Sequence, residues 1–172
     1  MVQPVSYDSN FDFAPAFPGM LADSGFTDKV TIPAGTTHQF GTVVAAVNST
    51  GRSVMPVGSN IVQGVALHDH NLAGRFLPDV ANASDRYVQY DAISVIRRGR
   101  VWARASGACT KDAVAKYDPA TGIFADAGSA TLKNAKFLTG NLTIVGITAG
   151  DPTSIIVMVE LHDPGIDDVG AS

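Results

Sequence analysis

The chain has 172 residues, of which 45% are hydrophobic and only 16% are charged, and its net charge at neutral pH is −4. This length suits one domain, and the low charge suggests that partners cover part of the surface. The acidic balance argues against a nucleic-acid partner, because neutralising phosphates with Lys and Arg supplies most of the affinity of nucleic-acid binders.

The chain starts with a segment that mixes prolines and aromatic residues, here called the N-terminal arm (residues 1–25). Pro15 and Pro18 remove backbone donors and push the preceding residues into extended conformations, so we predict an extended arm and no helix. Four large apolar side chains of the arm are predicted to contact another protein: Phe11, Phe13, Phe17 and Met20. The alternative is that the arm packs on its own domain and covers an edge strand.

The start of the chain carries no targeting signal that we can identify. Residues 1–20 contain neither Lys nor Arg and no continuous apolar run. A signal peptide needs a positive start and an apolar core, and a membrane span needs about 20 apolar residues. We therefore expect synthesis in the cytoplasm and no membrane partner.

Residues 26–162 alternate between short β-prone runs and turn clusters, a rhythm typical of a β-sandwich or barrel. A turn is predicted at residues 98–100, and the last run is apolar on both faces, which predicts a central, covered strand. The predicted strands are residues 29–32, 40–47, 61–67, 87–96, 100–105, 113–117, 132–138, 142–148 and 154–161. The predicted fold is all-β: a single β-sandwich or jelly-roll-like barrel with an extended N-terminal arm, followed by a flexible acidic tail (residues 163–172).

The most distinctive strand pattern places Arg100, Trp102 and Arg104 on one face. Trp and Arg are favoured at the centres of protein interfaces, so these three residues are predicted interaction residues. The alternative is that Trp102 belongs to the core and that the arginines pair with Asp91 or Asp85.

Two features raise the question of catalysis. His68 and His70 are two residues apart at the end of a predicted strand, so both imidazoles could bind one metal ion, as in cupin-like enzymes. The cupin pattern also needs a Glu a few residues later, and here the next carboxylate after His70 is Asp79. Cys109, the single cysteine, has no His near it in sequence. We expect no enzyme, no metal site and no cofactor.

The order of several motifs resembles the structural cement, or head-decoration, proteins of tailed bacteriophages. The resemblance starts with Phe-Pro-Gly-Met-Leu-Ala-Asp at residues 17–23 and continues with Phe-Gly-Thr-Val-Val at residues 40–44 and Gly-Val-Ala-Leu at residues 64–67. Its strongest part is the stretch from Tyr90 to Trp102. Further matching stretches lie at residues 113–117, 122–124 and 134–137.

This resemblance implies a non-enzymatic protein on the outer face of the virion capsid, synthesised in the host cytoplasm. Its implied partners are the major capsid protein and further copies of itself, as a homodimer or homotrimer. Two alternatives stay open: a metal-dependent jelly-roll enzyme that uses His68 and His70, and a β domain of a phage tail or receptor-binding protein.

Overall fold

The computed structural model describes residues 16–22, 25–58, 60–68, 86–144 and 154–163. Within these ranges the chain forms strands and no helix, so no helix there could span a membrane. The strands are β1 (Asp28–Pro33), β2 (His38–Gln39), β3 (Val43–Ala46), β4 (Ser53–Val54), β5 (Ile61–Ala66), β6 (Arg86–Tyr87), β7 (Ala92–Ala105), β8 (Val114–Tyr117), β9 (Ala130–Phe137), β10 (Leu142–Ile144) and β11 (Ser154–His162). The predicted all-β class is confirmed.

Nine of these strands form one sheet in the order β4-β3-β5-β7-β11-β9-β8, with β1 paired to β7 and β10 paired to β11. The other two, β2 and β6, form a separate antiparallel pair. Every pairing between these strands is antiparallel. The long strand β7 is the centre of the sheet, because it pairs with β1, β5 and β11.

The predicted turn at residues 98–100 is wrong, because β7 continues through it without interruption. The strand bends there instead of reversing. Asp28 pairs with Arg98 and Lys29 pairs with Ile96, so one extra residue of β7 forms a bulge. Gly99 follows the bulge with a φ of +123°, a value that side chains disfavour, and this glycine made the bend look like a turn in the sequence.

The predicted strand 87–96 is also divided differently. Tyr87 belongs to β6, and β7 begins only at Ala92. The residues between them form a tight turn, in which Asp91 donates its backbone N–H to the carbonyl oxygen of Val88 at 3.1 Å. The carboxylate of Asp91 in turn accepts a hydrogen bond from the backbone N–H of Val88 at 2.8 Å.

The last strand, β11, is central and covered, as its sequence predicts. It lies between β7 and β9. Val157, Val159 and Leu161 are fully buried in the main core, together with residues of β7, β8 and β9. Ile156 faces the other side of the sheet, where it contacts Trp102 and Ala16. Both faces of β11 are therefore used for packing, and one of them meets the N-terminal arm.

Candidate interaction surface

The end of the N-terminal arm is bound to the domain by backbone hydrogen bonds. We call this segment the arm root (residues 16–22). Gly19 donates its N–H to the carbonyl oxygen of Trp102 at 2.7 Å, and Trp102 donates its own N–H to the carbonyl oxygen of Met20 at 2.9 Å. On the other side, His68 donates its N–H to the carbonyl oxygen of Gly19 at 2.9 Å. The arm root therefore lies between β7 and His68, the second residue after β5.

Two glycines allow the backbone to approach this closely. A Cβ atom on Gly19 would lie 2.5 Å from the backbone nitrogen of His68, and a Cβ atom on Gly41 would lie 2.9 Å from that of Arg104. Their φ angles are +82° and +76°, which glycine adopts without strain. Gly41 donates to the carbonyl oxygen of Ala66 and accepts from Arg104, both at 2.8 Å. Gly19 and Gly41 thus connect the end of β5 to the second half of β7.

Trp102 lies beneath the arm root. Its side chain is buried, and it packs with Ala16 and Ile156 in a small cluster of its own, separate from the main core. Met20 is partly buried against the same cluster. The predicted contact residue Trp102 is thus covered by the chain itself, so its ring supports the arm root from below.

The ring of His68 fixes the position of Phe17. It lies between two aromatic rings, with its centroid 4.6 Å from that of Phe17 and 4.8 Å from that of Phe40, and both contacts are edge-on. Phe40 is buried, whereas Phe17 is half-buried. His68 thus joins Phe17 of the arm root to the buried ring of Phe40.

Of the two histidines in the His-x-His motif, the described residues include His68. Among the described residues, no three or more His, Cys, Asp or Glu side chains lie close enough to hold a metal ion. His70 lies outside the described residues, as do Phe11 and Phe13. Of the other histidines, His38 is fully buried with its Nε2 atom 2.9 Å from the hydroxyl oxygen of Ser53.

Arg100 is exposed and forms an ion pair with Glu160 of β11, a residue that the sequence analysis did not consider. Its Nε and Nη2 atoms both lie 3.1 Å from one carboxylate oxygen of Glu160, and Lys136 lies 3.3 Å from the other. Partial burial alone would raise the pKa of Glu160, but the hydrogen bonds from Arg100 and Lys136 outweigh it and lower that pKa. Arg104 is half-buried and donates its backbone N–H to Gly41.

An open cleft of about 460 Å³ lies beside this ion pair. Phe26 forms one wall and is 77% exposed, and the guanidinium carbon of Arg98 lies 5.7 Å from the centre of its ring. The cleft is lined by Gly25, Phe26, Arg98, Gly99, Arg100, Glu160, Leu161 and His162. The exposure of Phe26 is not visible in the sequence, because a single phenylalanine between a turn and a strand looks like a core residue.

The buried thiol of Cys109 is not suited to nucleophilic catalysis. Burial raises its pKa to about 11, with a further contribution from the negative charge of Asp126. The thiolate is the reactive form of cysteine, and at neutral pH this side chain stays protonated. Among the described residues, neither Cys109 nor the histidines therefore form a catalytic arrangement that the geometry supports.

The sequence profile of one family, described as Structural cement protein (E217 gp24/Pam3 gp6), matches residues 5–161. This match includes most of the N-terminal arm and all of the sheet except His162, the last residue of β11. A comparison with curated proteins gave no match.

Proposed function

The chain belongs to the structural cement protein family of phages, and on this basis we propose that it binds the outer surface of a phage head and stabilises contacts between major capsid protein subunits. The observation that supports this most is that the family match runs through both the arm and the domain. The arm root lies within the matched residues.

We propose that the arm provides the main contact with a capsid subunit. The arm root is fixed at Gly19 by hydrogen bonds on both sides, so the place where the arm joins the domain is defined. Phe11 and Phe13 lie in that part of the arm. Burying one phenylalanine contributes roughly 1.5–3 kcal/mol, so two of them can offset much of the cost of ordering an extended segment.

The other predicted interaction residues receive different roles in this proposal. Phe17 and Met20 hold the arm root against His68 and Trp102, so they orient the arm. Arg100 borders the open cleft and is the exposed member of the predicted Arg-Trp-Arg row, so we propose that it contacts the capsid directly.

We propose that the protein acts as a homodimer or homotrimer and performs no catalysis. Several copies joined together can contact several capsid subunits at once, which raises the total affinity without any new kind of contact. A structural role of this kind requires no cofactor and no metal ion.

Removing residues 1–15 tests the role of the arm. This truncation leaves the arm root in place, so Trp102 should stay covered and its fluorescence emission should not change. We expect the truncated protein to be folded but to lose most of its binding to phage heads that lack the protein, measured by co-sedimentation.

A double substitution, Phe11→Ala with Phe13→Ala, is the matched control for the side chains alone. If the aromatic rings supply the affinity, this variant should bind almost as weakly as the truncated protein. Binding of the truncated protein at the wild-type level would contradict the proposed role of the arm.

A further inference from the structure

Tyr90 is held in a conformation that a tyrosine rarely adopts. It lies in the turn before β7 with a φ of +77°, where its Cβ atom crowds the backbone, and bulky residues are true outliers there. Two backbone hydrogen bonds fix this turn to Ala34, the residue that follows β1. Tyr90 donates its N–H to the carbonyl oxygen of Ala34 at 2.9 Å, and Ala34 donates its N–H to the carbonyl oxygen of Asp91 at 2.7 Å.

The fold makes little use of the side chain that is held in this way. The side chain of Tyr90 is 74% exposed, so it adds almost nothing to a core. Asparagine or glycine would adopt the same φ at lower cost. A strained and exposed aromatic residue at a rigid turn points to a function outside the folded chain.

Arg52 lies over the exposed ring of Tyr90. Its guanidinium carbon is 5.7 Å from the ring centre, which is within the range of a cation–π contact. Among the described residues, no carboxylate forms an ion pair with Arg52, although the chain has more acidic residues than basic ones. Arg52 is itself exposed, so its guanidinium group can donate to an outside acceptor.

We propose that Tyr90 and Arg52 form a second docking point, which binds a protein surface that presents a carboxylate beside an apolar side chain. The carboxylate would pair with Arg52, and the apolar side chain would pack on the ring of Tyr90. Tyr and Arg are the residue types that most often dominate the energy of protein interfaces.

This inference rests on the proposed function and names the chemistry of a second contact on the capsid. An arm attached to one capsid subunit does not by itself hold two subunits together. A fixed point elsewhere on the domain, apart from the arm and from Arg100, supplies a further attachment that helps to hold neighbouring subunits together. The docking point shares no residue with the arm root.

Two substitutions test the docking point. Tyr90→Asn removes the ring but keeps a residue that tolerates the positive φ, and Arg52→Glu reverses the charge. We expect each variant to fold normally and to bind phage heads about tenfold more weakly or worse. The loss caused by Arg52→Glu should shrink as the salt concentration rises, because salt screens exposed charges.

Substitutions on other surfaces are the matched controls. Val114→Asn removes an exposed apolar side chain from β8, and Lys111→Glu makes the same charge change outside the docking point. Both control variants should bind like the wild type.

The outcomes separate this inference from the proposed function. If the wild type does not bind heads, the proposed function fails and the docking point fails with it. If the wild type binds and both docking-point variants bind equally well, only the docking point is overturned. A change in the oligomeric state of the free Tyr90→Asn variant, measured by light scattering, would also overturn it, because the surface would then join copies of this chain.

Discussion

His38 is a histidine whose ring is completely buried. It lies in β2, opposite Tyr87 of β6, and has no exposed surface. Ser53 lies within hydrogen-bonding distance of Nε2, whereas Nδ1 has no hydrogen-bond partner among the described residues. Burial lowers the pKa of His38 to about 4, and the contact with Ser53 opposes this only in part. The His38 ring is therefore neutral in the folded protein at neutral pH.

This environment predicts a specific loss of stability in acid. The unfolded chain takes up a proton on His38 below its ordinary pKa of 6.5, but the folded chain does so only near 4. Stability is thus complete above pH 6.5 and falls as the pH is lowered to 4, by about 1.4 kcal/mol per pH unit and about 3 kcal/mol in total. Urea unfolding at a series of pH values measures this fall.

His38→Gln is the comparison variant, because it cannot titrate in this range but can still form a hydrogen bond with Ser53. Its stability should decline less between pH 6.5 and pH 4 than that of the wild type. If the two proteins gave parallel curves, the buried neutral histidine would not be the cause of acid sensitivity.

At the scale of single residues, the sequence identified several residues that make important contacts, but it did not reveal which contacts they make. Trp102 and Phe17 were recognised, but both pack within the chain, and a one-dimensional pattern does not reveal which segment returns to cover a strand face. A metal site at His68 was considered and not expected, but the aromatic contacts of this ring were not predicted, because Phe17 and Phe40 come from distant parts of the chain. Tyr90 was noticed only within a motif, since a positive φ at a tyrosine leaves no signal in the sequence.

The arm root is the element that connects the arm to the domain, and its docking depends on Gly19. Any side chain here meets two penalties, the strain of a left-handed φ and a clash with the backbone of His68. Gly51 also has a positive φ, of +64°, but a Cβ atom there would have no neighbour within 4 Å. The two positions therefore differ mainly in the clash.

Gly19→Ala should release the arm root, whereas Gly51→Ala should not. We expect Gly51→Ala to cost about 1 kcal/mol from strain alone, and Gly19→Ala to cost roughly 3 kcal/mol or to be relieved by undocking. The chain has a single tryptophan, and Trp102 lies beneath the root, so undocking should shift its fluorescence emission to longer wavelength. An unchanged emission spectrum in Gly19→Ala would contradict the packing described for this segment.

At the scale of elements, the sequence predicted the strands that have clear apolar patterns and missed those fixed by tertiary contacts. β5 and β11 were placed almost correctly, because runs of buried residues between turn residues are visible in a sequence. The two-residue strands β2 and β4 were not found, since so short a strand exists only through its partner. The bend at Gly99 was mistaken for a turn, because a bulge and a turn both favour glycine.

At the scale of the whole molecule, the structure combines a rigid sheet with an attached arm. The sheet is centred on β7 and β11, and the arm root is hydrogen-bonded to β7 itself. A pulling force on the arm is therefore transmitted to the middle of the sheet rather than to a loose edge. The division into an arm (residues 1–25), a domain (residues 26–162) and a tail (residues 163–172) stays a prediction, although the arm root packs as part of the domain.

The central claim is that this protein attaches to the outside of a phage head and strengthens it. Purified protein added to DNA-filled heads that lack it tests the claim, with both the bound copies per head and the temperature of DNA release measured. We expect binding that saturates at a fixed copy number, together with a rise in the temperature at which the heads release their DNA. Folded protein that stays unbound at every concentration, or that binds without raising this temperature, would contradict it.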